Sequence, residues 1–353
     1  MKLALLGVGL IGGSVGMAAR ERLGAEVVGW DPAPGAMAEA RERGALDASR
    51  PTPAETVDGA DIAVVAAPVD ALVEVVGEAL SAAGPECVVT DVGSTKRAVV
   101  AAHDDPRFVG GHPLAGAETA GVRYSRPDLF AGATWYLTPT ERTSGILYER
   151  LHRAITGLGA RPAAIDAETH DRLMAHVSHL PHVLANVLVS GAAEALSGER
   201  LPATGPSFRD AARVAGSNSA IWTAIYRSNR EALTAAIDDT LARLREIRDL
   251  LDDPAAIEAW NERARADRRR LLEADLAGGP VHELRVPVPN RPGVIAELAL
   301  ALGRGGVNIA DMALYPAPDF SEGLVALWVA GDGPAARAEG LISELGFAVA
   351  RST

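Results

Sequence analysis

The sequence predicts an α/β domain, then an all-α domain, and then a small α+β domain. Signals for strands and helices alternate over residues 1–166, strand signals vanish over 167–277, and strands return over 281–353. The length of 353 residues supports this division, since it exceeds what one hydrophobic core ordinarily serves. We therefore expect three domains with these boundaries.

Composition and charge restrict the possible partners. Hydrophobic residues make up 48% of the chain and charged residues 23%, which is typical of a globular protein. The net charge of -12 argues against nucleic acid, because phosphate binding requires a concentrated basic face. The single cysteine, Cys87, excludes an internal disulfide, and no apolar run is long enough to cross a bilayer. We expect a soluble, cytoplasmic protein with neither a nucleic-acid nor a membrane partner.

A glycine-rich turn joins the first predicted strand, Lys2 to Leu6, to the first helix. Gly7, Gly9 and Gly12 have the spacing that lets a pyrophosphate approach the backbone at a helix N-terminus. The second predicted strand ends at Asp31, whose carboxylate suits two ribose hydroxyls and repels a 2'-phosphate. We therefore expect NAD rather than NADP, bound by Gly7, Gly9, Leu10, Ile11, Gly12, Asp31 and Pro68.

Two more stretches follow strands of this domain and should meet the glycine turn at the carboxyl edge of a parallel sheet. The first is Asp91 to Lys96, and the second is Gly110 to Gly121, which contains His112. We expect His112 to be exposed in a glycine-rich loop at a strand end, where an imidazole can take up and return a proton. From these residues alone, a turn histidine that only caps the strand is an equal alternative.

Ser94 has two interpretations, and Lys96 gives a less specific signal. Ser94 suits the N-cap of the next helix, and beside a strand-end histidine its hydroxyl can also orient the imidazole. Lys96 is one of only two lysines in the chain, but on a first helical turn it can be an ordinary surface charge. A strand over 134–137 and the segment 161–166 should complete the domain.

The helical region contains a cluster of histidines. His176 and His179 lie one helical turn apart, so a shared metal ion has to be considered. No cysteine nearby completes a ligand set, and Pro181 should kink the helix where rigid ligands would be needed, so we favour no metal. We expect Pro181 to tilt His179 and His182 toward the ligand-binding crevice at the carboxyl edge of the sheet. There the two histidines would donate hydrogen bonds to an anionic substrate.

Arg213 also has two interpretations. It follows Asp210 by three residues, so the two can form a surface pair on one helix face. Turned inward beside the histidines, its planar guanidinium would instead bind a carboxylate through two contacts. Farther along, apolar residues at three- and four-residue steps over 220–251 favour a homodimer interface.

The C-terminal region predicts the element order βαββαβ. Strands are expected over 283–288, from 306, over 324–329 and over 347–350, with one helix after Pro292-Gly293 and another over 334–345. Through Pro292-Gly293 and Asn308-Ile309 this region resembles an ACT domain, a small amino-acid-sensing module. The resemblance implies a ferredoxin-like α+β fold; a dimerisation module without a ligand is the alternative. It also implies an effector site formed by Asn290, Pro292, Gly293, Val294, Asn308 and Ile309.

The whole chain resembles the prephenate dehydrogenase family of tyrosine biosynthesis. The stretches that carry the resemblance occur in the family's order, at residues 7–14, 91–96, 110–121, 178–182 and 208–213. The resemblance implies a Rossmann-like first domain and a helical dimerisation domain. It also implies NAD-dependent oxidation of prephenate to 4-hydroxyphenylpyruvate with loss of CO2.

The resemblance assigns a role to each site residue as well. His112 takes the proton of the ring hydroxyl, and Ser94 orients its imidazole. Arg213 binds a substrate carboxylate, while His179, His182 and Glu118 line the pocket. Arogenate in place of prephenate stays open, as does a non-catalytic sensor of NAD and an amino acid. Tyrosine is the expected effector of the C-terminal domain.

Overall fold

The computed structural model describes residues 1–116, 119–195, 205–273, 281–317 and 322–351. These residues form two compact units. Residues up to Asp171 group with the C-terminal region from Val281 onward, and the helical region from Arg172 to Glu273 forms the second unit. The C-terminal region, predicted as a domain of its own, thus packs together with the first domain.

The first unit contains the strands β1 (Lys2–Leu6), β2 (Glu26–Trp30), β3 (Ala48–Ser49), β4 (Ile62–Val65), β5 (Val88–Asp91), β6 (Phe108–Pro113), β7 (Thr134–Thr138) and β8 (Arg161–Ala164). They form one sheet in the order β3-β2-β1-β4-β5-β6-β7-β8. Neighbouring strands are parallel except β6 and β7, which are antiparallel. The winding direction reverses between β1 and β4, which is where sheets of this class bind nucleotides.

Helices cover both faces of this sheet. They are α1 (Leu10–Leu23), α2 (Ala36–Glu42), α3 (Pro53–Val57), α4 (Leu72–Ala82), α5 (Arg97–Ala102), a 3-10 turn (Val122–Tyr124) and α6 (Gly145–Gly157). Along β1, Leu3 and Leu5 are buried in one apolar cluster, and Ala4 and Leu6 in another. Because both faces are buried, β1 is continuously hydrophobic instead of alternating with polar residues.

The segment with the histidine cluster is helical throughout. Helix α7 (Ala167–Met174) leads into a π-helical turn (Ala175–His179), which continues as α8 (Leu180–Ala195). Pro181 has no N–H to donate and its ring crowds the preceding turn, so the wider π turn accommodates it. The predicted kink therefore takes the form of a π turn within a continuing helix.

The remaining helices of this unit are α9 (Pro206–Ala212), α10 (Ser219–Ser228), α11 (Arg230–Asp249) and α12 (Pro254–Glu273). The apolar run predicted over 220–251 thus forms two helices that meet at Asn229. No helix among the described residues is long and apolar enough to span a bilayer.

The C-terminal region folds as β9 (Val281–Pro289), α13 (Val294–Arg304), β10 (Ile309–Pro316), β11 (Glu322–Ala330), α14 (Asp332–Glu344) and β12 (Ala350–Arg351). Its antiparallel sheet has the order β10-β11-β9-β12, as expected for the predicted βαββαβ order. Helix α13 packs on β8 so closely that a Cβ at Gly303 would lie 1.9 Å from the carbonyl oxygen of Ala164. Arg304 pairs with Asp166 at 3.3 Å, just beyond β8.

Candidate active site

His112 lies within strand β6, where its predicted place was a loop at a strand end. Its register partner on the antiparallel strand β7 is Tyr136, and its side chain is half-buried. Gly111 is needed beside it because a Cβ there would lie 2.7 Å from the Thr90 hydroxyl oxygen and 2.5 Å from the Asp91 carbonyl oxygen. The glycines before His112 therefore serve close packing of β6 on β5, and the expectation of an open glycine loop at this point was wrong.

Lys96 is completely buried, so the interpretation as a surface charge was wrong. Its ammonium group forms an ion pair with the buried carboxylate of Asp91 and donates a hydrogen bond to the Gly111 carbonyl at 2.8 Å. Burial lowers the pKa of Lys96, while the Asp91 carboxylate opposes this shift. The pair joins the end of β5 to the residue that precedes His112.

The ring of His112 is held by a residue that sequence reasoning did not assign to the site. His112 Nδ1 lies 2.9 Å from Nε2 of His170, and His170 Nδ1 lies 2.8 Å from the Asp171 carboxylate. Ser94 is half-buried in the stretch after β5, and the structure shows no hydrogen bond from it to His112, both residues being described. The available signal was the pair His170-Asp171 in the first helix after the last strand of the sheet.

The glycine turn after β1 has room for a dinucleotide. Gly7 has φ +99°, and a Cβ there would lie 2.4 Å from the Ala66 carbonyl oxygen; at Gly12 it would lie 2.1 Å from the Gly7 carbonyl oxygen. The Cβ position at Gly9, by contrast, has nothing within 4 Å among the described residues. Gly9 is the N-cap of α1, so open space adjoins the helix end that attracts a pyrophosphate.

Asp31 is fixed beside this turn at the carboxyl end of β2. Its two carboxylate oxygens accept hydrogen bonds from the backbone N–H groups of Val8 and Ala33, each at 2.8 Å. A carboxylate held in this way can still accept hydrogen bonds from ribose hydroxyls. The residues present therefore fit NAD: Gly7, Gly9 and Gly12 in the turn, Leu10 and Ile11 at the start of α1, Asp31, and the exposed Pro68 just after β4.

The histidines of the helical unit lie in different surroundings. His179 is buried, with Nδ1 3.1 Å from the side-chain nitrogen of Asn229, whereas His176 is exposed on the same π turn. His182 is half-buried and stacks on Trp222, with ring centroids 3.5 Å apart. Its Nδ1 donates to the Ser178 carbonyl at 3.1 Å. The structure thus exposes His176, buries His179 and gives His182 a defined orientation.

Arg213 follows α9 directly and is exposed. Its backbone N–H donates to the Asp210 carbonyl at 3.4 Å, which closes the helix end. Glu118, the remaining predicted pocket residue, lies outside the described residues.

Models of two domains match almost the whole of the first two predicted domains. Residues 15–163 match the nucleotide-binding domain of prephenate dehydrogenase, and residues 166–262 match its dimerization domain. The chain belongs to the prephenate dehydrogenase family. The matches contain His112, His170, His179, His182 and Arg213, whereas the glycine turn at residues 7–12 precedes the first match.

Relatives within the prephenate dehydrogenase family cover most of the chain. Prephenate dehydrogenase of Bacillus subtilis is 29% identical over 349 residues, which cover 95% of this chain and 94% of the relative. The Aquifex aeolicus prephenate dehydrogenase, solved in complex with hydroxyphenyl propionate and NAD+, has a TM-score of 0.68, 27% identity, and coverage of 77% and 97%. Synechocystis arogenate dehydrogenase has a TM-score of 0.68, 26% identity, and coverage of 77% and 100%.

In this member of the prephenate dehydrogenase family, the predicted effector residues divide into a buried and an exposed group. Gly293 and Val294 are buried at the start of α13, and a Cβ at Gly293 would lie 2.3 Å from the Glu141 carbonyl oxygen of the first domain. Ile309 is buried as well. Asn290, Pro292 and Asn308 are exposed. The predicted effector loop therefore packs directly on the loop that precedes α6.

Proposed function

We infer that the chain oxidises prephenate to 4-hydroxyphenylpyruvate and CO2 with NAD+ in tyrosine biosynthesis. Membership of the prephenate dehydrogenase family supports this, as does the similarity to a prephenate dehydrogenase that was solved with NAD+. When bound, NAD+ accepts the hydride from C4 of the substrate ring. Loss of the ring carboxylate makes the product ring aromatic, so the protein mainly has to hold the substrate and remove one proton.

The observation that carries this proposal is the placement of His112. It lies on β6 at the same sheet edge as the carboxyl ends of β1, β4 and β5, where ligands of such sheets bind. His112 takes the proton of the C4 hydroxyl as the hydride leaves. A positioned base of this kind contributes about 10²- to 10⁴-fold to the rate.

The other site residues bind the substrate. Arg213 forms a two-point contact with a substrate carboxylate through its planar guanidinium. His179 and His182, which contact Asn229 and Trp222 respectively, also bind the substrate. Ser94, at the end of β5, hydrogen-bonds to the substrate hydroxyl or to His112 once substrate is present. The resemblance to the family also assigns Glu118 to substrate binding.

Arogenate is the alternative substrate, because it differs from prephenate only by an amino group in place of the keto group. Similarity to an arogenate dehydrogenase of equal TM-score keeps this alternative open. A non-catalytic sensor of NAD and an amino acid is a more remote alternative. A titratable base at the sheet edge argues against it, because sensing alone does not require one.

The helical unit forms a homodimer. The dimerization-domain match supports this, and so does a set of large apolar side chains exposed on α8, α11 and α12. Apolar exposure on this scale is unusual in a monomer and typical of an interface. The set comprises Val187, Leu188, Val189, Leu241, Leu244 and Trp260.

The C-terminal region is an ACT domain that binds tyrosine. Its βαββαβ order and the buried turn at Gly293 support this. The effector site comprises Asn290, Pro292, Gly293, Val294, Asn308 and Ile309. Titration calorimetry of the full chain with tyrosine, beside a variant with Asn308→Ala and Asn290→Ala, tests the site. Equal tyrosine binding by both proteins would remove the effector role from it.

The activity is tested by steady-state assays of NADH or NADPH formation with all four pairs of substrate and cofactor. We expect the highest kcat/KM for prephenate with NAD+. A higher value with arogenate would establish the alternative substrate. No reduction with either substrate, in protein that binds NAD+, would favour the sensor.

A further inference from the structure

Three side chains of the first unit form a continuous hydrogen-bonded row that starts at His112. His112 Nδ1 lies 2.9 Å from His170 Nε2, and His170 Nδ1 lies 2.8 Å from Oδ1 of Asp171. His170 and Asp171 are 0% and 1% exposed, so the partly exposed His112 is the member of the row that solvent reaches most easily. The row therefore runs from the interior to the proposed base.

The direction of the hydrogen bonds follows from the chemistry of the three groups. An ionised carboxylate only accepts, so His170 Nδ1 must carry the proton and donate to Asp171. Burial lowers the pKa of His170, so this ring is neutral near pH 7 and its Nε2 can only accept. His112 Nδ1 therefore donates to His170, which leaves the lone pair of the neutral His112 ring on Nε2.

The row is rigid because its buried end is tied to two other elements. The Asp171 carboxylate accepts hydrogen bonds from the backbone N–H groups of Lys96 at 2.7 Å and Arg97 at 3.0 Å. The ring of Tyr136 contacts the His170 ring edge-on, with centroids 5.7 Å apart and an interplanar angle of 83°. Rotation of the His170 ring would break its hydrogen bond with the anchored Asp171 carboxylate and its contact with Tyr136, so the tautomer of His112 is fixed by packed structure.

We propose that His170 and Asp171 are positioning residues for the reaction, which hold the His112 ring and fix the tautomer that presents a basic Nε2 to the substrate hydroxyl. The inference rests on the proposed function, since it assigns these residues to the same proton transfer. A general base works only in the correct tautomer, and a carboxylate behind the ring is a known means of selecting it. Here a second imidazole lies between the base and the carboxylate.

A purely structural role is the competing explanation, because Asp171 also accepts hydrogen bonds at the start of α5. Two substitutions of His170 separate the roles. The amide of a Gln side chain extends to about the place of the imidazole Nε2, and that of Asn to about the place of Nδ1. His170→Gln therefore keeps a partner for His112, whereas His170→Asn keeps only the contact with Asp171.

Steady-state kinetics of prephenate oxidation with NAD+ provides the first test. We expect His170→Asn to lower kcat by about 10- to 100-fold, as does loss of the hydrogen-bond partner that orients a metal-binding histidine, with unchanged KM for NAD+. His170→Gln should retain most of the wild-type kcat. Equal losses in both variants, or wild-type kcat in both, would overturn the positioning role.

The second test does not need turnover. In protein labelled with 15N-histidine, the ring-nitrogen shifts of His112, assigned with His112→Asn, report which nitrogen carries the proton. We expect Nδ1–H in the wild type and in His170→Gln, and a mixture of tautomers in His170→Asn. An Nε2–H tautomer in the wild type would refute the inference. If the wild type shows Nδ1–H but oxidises neither prephenate nor arogenate, the proposed function fails and the catalytic role of the row fails with it, while the tautomer assignment stands.

Discussion

Lys96 and Asp91 form an ion pair in which neither side chain has any exposed surface. The Asp91 carboxylate also accepts hydrogen bonds from the backbone N–H groups of Gly93 at 2.8 Å and Gly111 at 3.1 Å. Lys96 in turn donates to the Gly111 carbonyl. The pair thus fixes the backbone at the end of β5 and at the residue before His112.

Lys96→Met should strongly destabilise the first domain. The substitution leaves the Asp91 carboxylate buried without its counter-ion, and removal of one partner from a buried pair costs about 3–5 kcal/mol. Urea unfolding followed by circular dichroism measures the loss. Lys2→Met is the matched control, because Lys2 is the other lysine of the chain and its ammonium group lies at the surface. Equal stability of the two variants would show that the ion pair contributes little.

His112→Asn should abolish most turnover without loss of NAD+ binding. The Asn amide keeps a donor near the place of Nδ1, facing His170, but has no titratable nitrogen in place of Nε2. We expect kcat to fall by about 10²- to 10⁴-fold. Steady-state assays give kcat, and quenching of protein fluorescence gives the NAD+ affinity.

His103→Gln is the control for this variant, since His103 lies on the same domain with its Nε2 2.8 Å from the Val73 carbonyl oxygen. It should keep wild-type kcat. If His112→Asn keeps wild-type kcat, His112 is not the catalytic base, irrespective of the result for His103→Gln.

The glycine turn and the first strands could be predicted because their signals are local. Lys2–Leu6 and Glu26–Trp30 are strands as predicted, and α1 begins at Leu10, directly after Gly9. Glycine spacing and continuous apolar runs fix such elements within about thirty residues of sequence. The same holds for the C-terminal βαββαβ order, where each turn has its own glycine or proline signal.

The environment of His112 could not be predicted in the same way, because it depends on contacts between distant residues. His170 lies 58 residues from His112 in the sequence. Asp171 lies 75 residues from Lys96, whose backbone N–H donates a hydrogen bond to the Asp171 carboxylate. The antiparallel pairing of β6 with β7 extends the strand through His112, and local sequence does not specify that partner. The sequence alone also does not distinguish a glycine that allows close strand packing from a glycine in an open loop.

Asp31→Ser should weaken the preference for NAD+ over NADP+. The substitution removes the charge that repels a 2'-phosphate and the acceptor for the ribose hydroxyls. Hydrogen bonds to a charged group contribute about 1.5–3 kcal/mol, so the ratio of kcat/KM for the two cofactors should fall about 10- to 100-fold. Assays with prephenate and each cofactor measure this ratio.

Asp47→Ser is the matched control for Asp31→Ser. Its carboxylate accepts a hydrogen bond from the Val27 N–H at 2.8 Å, near the amino end of β2, whereas Asp31 lies at the carboxyl end. The control should lose stability but keep the cofactor preference. An unchanged preference in Asp31→Ser would exclude Asp31 from ribose recognition.

Gly303→Ala should loosen the packing of the C-terminal region on the first domain. The new methyl group would lie 1.9 Å from the Ala164 carbonyl oxygen, and a backbone atom cannot yield as a flexible side chain does. Overpacking of this kind costs about 1–3 kcal/mol. Hydrogen–deuterium exchange of β8 and α13 should therefore become faster.

Gly340→Ala is its control, because Gly340 also lies within a helix but has nothing within 4 Å of its Cβ position among the described residues. There alanine should slow exchange in α14, since it favours a helix over glycine by about 1 kcal/mol. If Gly303→Ala also slows exchange, the close contact between α13 and β8 does not limit the packing.

His152 should make the protein sensitive to acid. Burial lowers its pKa to about 4, and the nearby Asp311 carboxylate opposes the shift while Arg153 adds to it. The pKa of this histidine in the unfolded chain is about 6.5. Between about pH 4 and pH 6.5 the unfolded chain therefore binds a proton here, whereas the folded chain does not. The contribution of His152 to the free energy of unfolding is therefore fully present above about pH 6.5 and falls toward pH 4. The loss from this residue is about 2 kcal/mol at pH 5.

His152→Phe keeps a ring beside Tyr148 and removes the titration. The difference in urea midpoint between pH 7 and pH 5 should therefore narrow in this variant. Some acid sensitivity will remain, because burial lowers the pKa of His170 in the same direction. His176→Gln, a substitution of an exposed histidine, should leave the difference as in the wild type. If the difference in urea midpoint between pH 7 and pH 5 is also unchanged in His152→Phe, then His152 takes up its proton without unfolding of the protein. Water would then have to enter the packing between α6 and β10.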